Sequence, residues 1–251
     1  MSDKNVVFII DVKKPGQSTK PEYMYSIKSW KSFCEKYGHE LLVLQDPIVD
    51  QSQMGIIWQR YFLFDIFDHN SIKVDQTLIV DADTIVHPDC PDIFSLTDHK
   101  YTVVRDDGDY DWIIRSMENY KKFLFPNDPF FDWFSYYNSG FQIVNNSHRS
   151  FFETMRKFYF ENQEKILWCQ KTFGVGTDQT PLNYLLRREK IDIKELPFTY
   201  NCVCLNKKEV LSDDMLHTKV CNVMHFNGLP DKDKSVPFWM EMTYKYLYEK
   251  F

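Results

Sequence analysis

Asp81 and Asp83 stand two apart at the end of an apolar run, Thr77-Leu78-Ile79-Val80, and Ile85-Val86 restores the apolar pattern after Thr84. The run has strand composition. A strand alternates its side chains with period two, so the two carboxylates point the same way if strand geometry persists. Paired carboxylates are hard oxygen ligands for Mg²⁺ or Mn²⁺. Such a cation neutralises the charge on a diphosphate leaving group. Asp-x-Asp also occurs as plain solvated acid in many chains. The apolar shoulders set this one at the edge of a core.

Further along the chain, His225 sits in Val223-Met224-His225-Phe226-Asn227-Gly228. Imidazole is a borderline ligand suited to Mn²⁺, and Gly228 allows a backbone to approach a phosphate closely. The remaining histidines lack such a setting. Asn138-Ser139-Gly140 opens an apolar strand and suits a plain turn as well. In Gly176-Thr177-Asp178-Gln179-Thr180-Pro181, the proline marks a first helical turn, where an acidic Asp178 is also favoured. Arg60, in Trp58-Gln59-Arg60-Tyr61, offers a fork suited to oxygen pairs.

The elements that must hold these residues alternate between strand and helix. Val6–Val12 reads as a buried strand and 13–20 as a loop. Pro21–Tyr37 has helical spacing and stops at Gly38, and Glu40–Leu44 is the next strand. This β-α-β unit implies a parallel sheet with a right-handed crossover. Ile56–Phe67 reads as a helix, Thr77–Asp81 and Tyr101–Arg105 as strands, and Ile113–Phe123 as a helix within an irregular aromatic stretch. Phe141–Val144 is a strand opened by the Asn138-Ser139-Gly140 segment. Ser150–Cys169 and Asp178–Glu189 are helices, the second with Thr177 as candidate N-cap. Ile191–Leu196 is a strand and Trp239–Tyr248 a helix. No repeat or linker breaks the chain, so the expectation is one α/β domain over residues 1–251.

Composition narrows the function. The chain has 251 residues, 43% hydrophobic and 26% charged, with a net charge of -6 and no long basic stripe, which argues against nucleic acid as the main partner. No apolar segment at the N-terminus is long enough for a signal peptide or transmembrane anchor, which leads to the expectation of a cytoplasmic protein. The six cysteines are scattered without Cys-x-x-Cys spacing and read as reduced, mostly buried thiols.

These motifs, in this order, resemble the GT-A (Rossmann-like) glycosyltransferases, especially the retaining type related to glycogenin and the bacterial lipooligosaccharide galactosyltransferases. The resemblance spans roughly residues 5 to 230. It implies a mostly parallel central sheet, with a donor-binding half over about 1–110 and an acceptor-side half over about 111–251. It further implies sugar transfer from a nucleotide diphosphate sugar, by analogy a UDP-sugar, to an acceptor hydroxyl, with retention favoured. Asp83 and His225 would ligate Mn²⁺ or Mg²⁺, with Asp81 serving the metal, the donor ribose or both. Asn138, Ser139 and Gly140 would line the donor-sugar pocket, Asp178 would bind sugar hydroxyls, and Gln179 would sit near the anomeric carbon. Arg60 would reach the donor, and Asp11, after the first strand, lies where such folds bind the base or ribose. Asn227 and Gly228 would meet the donor phosphates. The aromatic residues from Tyr110 to Tyr137 suit either a stacking wall for the acceptor or a loop packed by its own rings. Donor sugar and acceptor (glycan, protein or lipid-linked) are not specified. The alternatives are a non-catalytic nucleotide-sugar-binding module, or another metal-dependent phosphate enzyme, a hydrolase or nucleotidyltransferase. A phosphatase superfamily opening on Asp-x-Asp-x-Thr fits less well, because Ile85 stands at the fifth position, far from the N-terminus.

Overall fold

The computed structural model describes residues 4–12 and 20–249. Most of the expected 13–20 loop lies outside the described residues. The first β-α-β unit is β1 (Lys4–Ile10), α1 (Tyr23–Tyr37) and β2 (Glu40–Leu44). Helix α1 stops where Gly38 takes φ 73° and its N–H bonds back to the Cys34 carbonyl. The helix expected over Ile56–Phe67 is split into a 3₁₀ segment, Ile56–Phe62, and a short α2, Leu63–His69. Strand β3 (Val74–Val80) leads into β4 (Thr84–Val86), followed by β5 (Tyr101–Arg105) and α3 (Tyr110–Phe123). Then come β6 (Tyr137–Val144), the long α4 (Arg149–Phe173) and α5 (Gln179–Arg188). The chain ends with β7 (Ile193–Leu196), α6 (Leu216–Val220), β8 (Val223–His225) and α7 (Lys232–Tyr248).

Six strands form one sheet in the order β2-β1-β3-β6-β5-β7, and β4 pairs with β8 in a separate small sheet. Parallel pairing joins β2, β1 and β3, and also β5 and β7. Only β6 runs against its neighbours. Period-two alternation sorts side chains onto two apolar layers. Phe8, Ile79 and Val103 face the layer packed by Phe152, Tyr159 and Leu182. Val7, Ile9, Leu78, Val80 and Val104 face Trp30 and Phe33 of α1. Both faces are covered, as parallel strands require.

The reversed direction of β6 places the site. Its first residues lie at the same sheet edge as the last residues of β3 and β5. Val80 pairs with Phe141, and Arg105 with Tyr137. Asn138, Ser139 and Gly140 therefore lie between the ends of two strands that are each followed by an acid, Asp81 and Asp106. They belong to the buried strand itself and are not the turn that precedes it.

Two further expectations are corrected. Helix α5 begins at Gln179 with Asp178, not Thr177, in the capping position, and the Asp178 side chain turns toward the site and makes no capping bond. Cys202 and Cys221 form a disulfide with Cα atoms 6.0 Å apart, while Cys34, Cys90, Cys169 and Cys204 are free and buried. Spacing could not show this pair, because it is set by the approach of the Cys202 segment to β8, where Cys202 bridges to Met224.

Candidate active site

The Asp-x-Asp pair does not continue the strand. β3 stops at Val80 and β4 starts at Thr84, so Asp81-Ala82-Asp83 forms a tight turn between them. The two carboxylates converge because the turn is gripped from both sides. Asp81 N–H donates to the Gly140 carbonyl at 3.1 Å, and Phe226 N–H to the Asp83 carbonyl at 2.9 Å. Thr84 braces the turn, donating its hydroxyl to the Asp81 carbonyl at 2.8 Å and accepting the Trp30 indole N–H at 2.9 Å. In the small sheet Thr84 lies opposite His225, which brings the imidazole to the carboxylates.

His225 Nε2 lies 3.2 Å from Asp83 Oδ1 and 3.7 Å from Asp81 Oδ2. One ligand atom from each of Asp81, Asp83 and His225 can be chosen so that all three fall within 4.8 Å of one another. Gly140 makes this approach possible. A Cβ there would collide with Asp81 Oδ2 and sit 2.7 Å from His225 Cε1. Two carboxylates and an imidazole form a mixed oxygen and nitrogen donor set that fits Mn²⁺. Burial alone would lower the His225 pKa, but the Asp83 and Asp81 carboxylates outweigh it and raise it. Asp83 is lowered: burial works against its charge, and His225 prevails. The cluster thus attracts positive charge, whether proton or metal.

Arg60 is buried beneath this turn. It donates to Asp81 Oδ1 at 2.7 Å, to the Ser139 carbonyl, and to the Ile57 carbonyl at 3.0 Å. Its Nε is 3.6 Å from Asp178 Oδ2. Asp178 also accepts the Ser139 hydroxyl at 3.0 Å, the Tyr61 hydroxyl at 3.1 Å and the Thr177 hydroxyl at 3.2 Å. Burial raises the Asp178 pKa, and Arg60 counters only in part. Gln179 accepts from Ser139 N–H at 3.1 Å and Asn138 Nδ2 at 3.2 Å, and donates to Asp106 Oδ2 at 2.8 Å. Four carboxylates gather here, Asp81, Asp83, Asp106 and Asp178; among the described residues Arg60 pairs with Asp81 and Asp178, and Lys20 acts electrostatically on Asp83. A divalent cation suits that imbalance.

The other sequence candidates lie around this centre. Asp11 follows β1 and is largely buried. Together with Asp83, Glu22 and Asp81 it surrounds Tyr23, whose hydroxyl pKa is raised first by burial and then by these carboxylates. Gly228 turns the chain after β8 with φ +64°. The Asn227 side chain is already engaged, accepting Cys204 N–H at 3.0 Å. Tyr110, Trp133 and Phe134 form a partly exposed aromatic group, with Tyr110 and Trp133 ring centres 4.4 Å apart. Trp112 packs against Gly176, two residues before Asp178.

Residues to which the sequence motifs assign no role also enter the site. Tyr61 holds Asp178, Thr84 braces the turn, and Asn201 contacts both His225 Nδ1 at 3.0 Å and Asn138 Oδ1 at 3.1 Å. Asn201 lies in Phe198-Thr199-Tyr200-Asn201-Cys202, which carries no recognisable chemical spacing. Nothing short of the fold would have selected it.

Residues 14–233 match the model of glycosyl transferase family 8. No functionally curated protein matches the chain in sequence. Among solved structures, the fold is similar to a glycosyltransferase involved in the glycosylation of the major capsid of PBCV-1. That likeness has TM-score 0.61 and 13% identity, and covers 94% of this chain and 98% of that one. It is also similar to mouse xyloside xylosyltransferase 1, with TM-score 0.50, 11% identity and coverage of 91% and 100%. A third similar structure is the glycosyltransferase GlyE of Streptococcus pneumoniae, with TM-score 0.54, 15% identity and coverage of 96% of this chain but 61% of GlyE. With the family model matched along most of its length, the chain belongs to glycosyl transferase family 8 and is a glycosyltransferase of the GT-A fold.

Proposed function

We propose that the enzyme is metal-dependent and moves a sugar from a nucleotide diphosphate sugar, a UDP-sugar, to an acceptor hydroxyl with retention of configuration. The observation that carries this reading is the convergence of Asp81, Asp83 and His225 at the sheet edge. These three residues would hold Mn²⁺, or Mg²⁺ in its place. The bound ion would neutralise the diphosphate as the bond to the sugar breaks.

The remaining roles belong to the protein. Asp11 faces the base or ribose beyond the end of β1. Asn227 and Gly228 border the phosphates. Asn138, Ser139 and Gly140 form one wall of the donor-sugar pocket, and Asp178 and Gln179 the other. A sugar hydroxyl takes the place of the Ser139 or Thr177 hydroxyl on Asp178. Arg60 keeps the charges of half-buried Asp81 and buried Asp178 at fixed separation. Retention is supported by the surroundings of Asp178. Its oxygens are occupied by hydroxyl donors and Arg60, so it is not free to serve as the base that an inverting reaction demands. The donor phosphate then receives the acceptor proton.

The whole chain is read as one domain, in which residues up to about 110 supply Asp11, Arg60, Asp81 and Asp83, and residues beyond that point complete the donor site. The aromatic group around Tyr110 and Trp133 is placed on the acceptor side, where rings can stack on a glycan. No described helix is long and apolar enough to cross a membrane. Asp178→Asn tests the donor-sugar assignment. Transfer falls roughly 100-fold, while UDP affinity stays within about threefold. Equal losses in both contradict the assignment.

A further inference from the structure

Asn201 is fully buried beside His225. Its orientation can be derived from a backbone group whose polarity is fixed. Gly140 N–H is a donor and meets one end of the Asn138 amide at 2.9 Å, so that end is the carbonyl oxygen. The same oxygen lies 3.1 Å from the Asn201 amide, which must present its NH₂ there. The other end of Asn201, 3.0 Å from His225 Nδ1, is therefore its oxygen, and Nδ1 carries a proton. A neutral His225 then has its lone pair on Nε2, the atom that faces Asp83 and Asp81.

We propose that Asn201 is a positioning residue that fixes the ligand tautomer of His225 and couples the metal ligand to the donor-sugar wall through Asn138. The inference rests on the metal-dependent reading above and deepens it. The chain of amides continues past Asn138, which donates to Gln179 at 3.2 Å and to Asp106 at 3.0 Å. The segment is held in register next to β8. Cys202 N–H donates to the Val223 carbonyl at 2.9 Å, His225 N–H donates to the Cys202 carbonyl at 3.0 Å, and the Cys202–Cys221 disulfide ties the two segments together. Outer partners of this type orient a ligating imidazole and raise its basicity.

Two substitutions separate the roles. Asn201→Ala removes both bonds. Asn201→Asp keeps an oxygen for His225 Nδ1–H but offers Asn138 no donor. The readout is the Mn²⁺ dissociation constant of the protein alone, from electron paramagnetic resonance of free Mn²⁺, with melting in EDTA as the folding control. Asn201→Ala is expected to weaken Mn²⁺ by about 10–100-fold. Asn201→Asp is expected to stay within about threefold of the parent for Mn²⁺, yet to bind UDP-glucose or UDP-galactose in saturating Mn²⁺ more weakly than the parent does. An Asn201→Ala protein that binds Mn²⁺ within about twofold of the parent overturns the proposal. So does an Asn201→Asp protein as impaired toward Mn²⁺ as the alanine variant. If the alanine variant fails to fold, the aspartate variant alone decides: near-parent Mn²⁺ affinity supports the role and a loss of tenfold or more overturns it. A parent protein that binds no Mn²⁺ contradicts the metal reading itself and takes this inference with it. A parent that binds Mn²⁺ while both variants match it contradicts Asn201 alone.

Discussion

His217 and His225 are both buried in the C-terminal part of the chain, yet they are opposite in character. His217 packs edge-on to Phe226 and Trp239, with Nε2 2.8 Å from the Thr243 hydroxyl. Burial lowers its pKa to about 4, against the opposing effects of the Val210 carbonyl and the more distant Asp214 carboxylate. His225 is raised, because two carboxylates face it. Depth of burial does not distinguish a structural histidine from a candidate ligand. The neighbours do: a hydroxyl and a carbonyl satisfy a neutral ring, and carboxylates call for positive charge.

The largest effect that should break this contrast is at the acid shared with His225. Asp83→Ala is expected to abolish Mn²⁺-dependent donor binding, with transfer down by at least about 1000-fold, while melting in EDTA holds steady. Calorimetric titration with a UDP-sugar checks it, and Mn²⁺ dependence that survives removes Asp83 from the ligand set.

The crossed pair of histidine variants comes next. His225→Ala is expected to weaken Mn²⁺ by at least the 10–100-fold typical of losing even an outer partner, with little change in melting. His217→Ala does the reverse. It leaves the Thr243 hydroxyl unpartnered in a new cavity, costs about 2–4 kcal/mol and lowers Tm by roughly 5–12 °C, with Mn²⁺ affinity within about twofold. Equal thermal losses in both variants would make His225 a core residue.

Gly140→Ala sharpens the geometry. The added methyl must displace Asp81 or His225, at about 1–3 kcal/mol, so Mn²⁺ binding weakens roughly tenfold or more without loss of the sheet.

For each histidine and each pH unit, the smallest effects are those of pH. His148, like His217, is lowered to about 4 by burial. The unfolded chain takes up protons near pH 6.5, before the folded one does. Stability is therefore lost as pH falls from about 6.5 toward 4, and His217→Ala flattens that slope by up to about 1.4 kcal/mol per pH unit. For His225 the sign is opposite. The metal-free pair is favoured below pH 6.5, and its contribution fades as pH rises through the raised pKa. Because Mn²⁺ displaces that proton, Mn²⁺ affinity climbs with pH over the same interval. Melting curves in EDTA and Mn²⁺ titrations, each against pH, separate the two.

Much of this was readable before folding is considered. The β-α-β start, the strand before Asp81 and the Asp178 helix follow from apolar period and from Gly and Pro signals, which are local. Asp81, Asp83 and His225 could be selected because carboxylate and imidazole chemistry is written in residue type. Their manner of convergence could not. It comes from a turn gripped by Gly140 and Phe226, and from an antiparallel β6 that brings Asn138 to the acid edge. These are long-range pairings with no local pattern. Asn201, the bond from Tyr61 to Asp178 and the Cys202–Cys221 bond stayed hidden for the same reason. Arg60 was legible as a cation but not as a buried one that spans Asp81 and Asp178.

The central claim is that the acidic edge binds a nucleotide sugar through a divalent cation. A thermal-shift panel of UDP- and GDP-sugars, run with Mn²⁺ and with EDTA, tests it directly, since a ligand that binds only the folded state raises Tm. A shift with a UDP-sugar that requires Mn²⁺ and vanishes in Asp83→Ala is the predicted result. A folded protein that shifts equally in EDTA, or with no nucleotide sugar at all, would contradict the account.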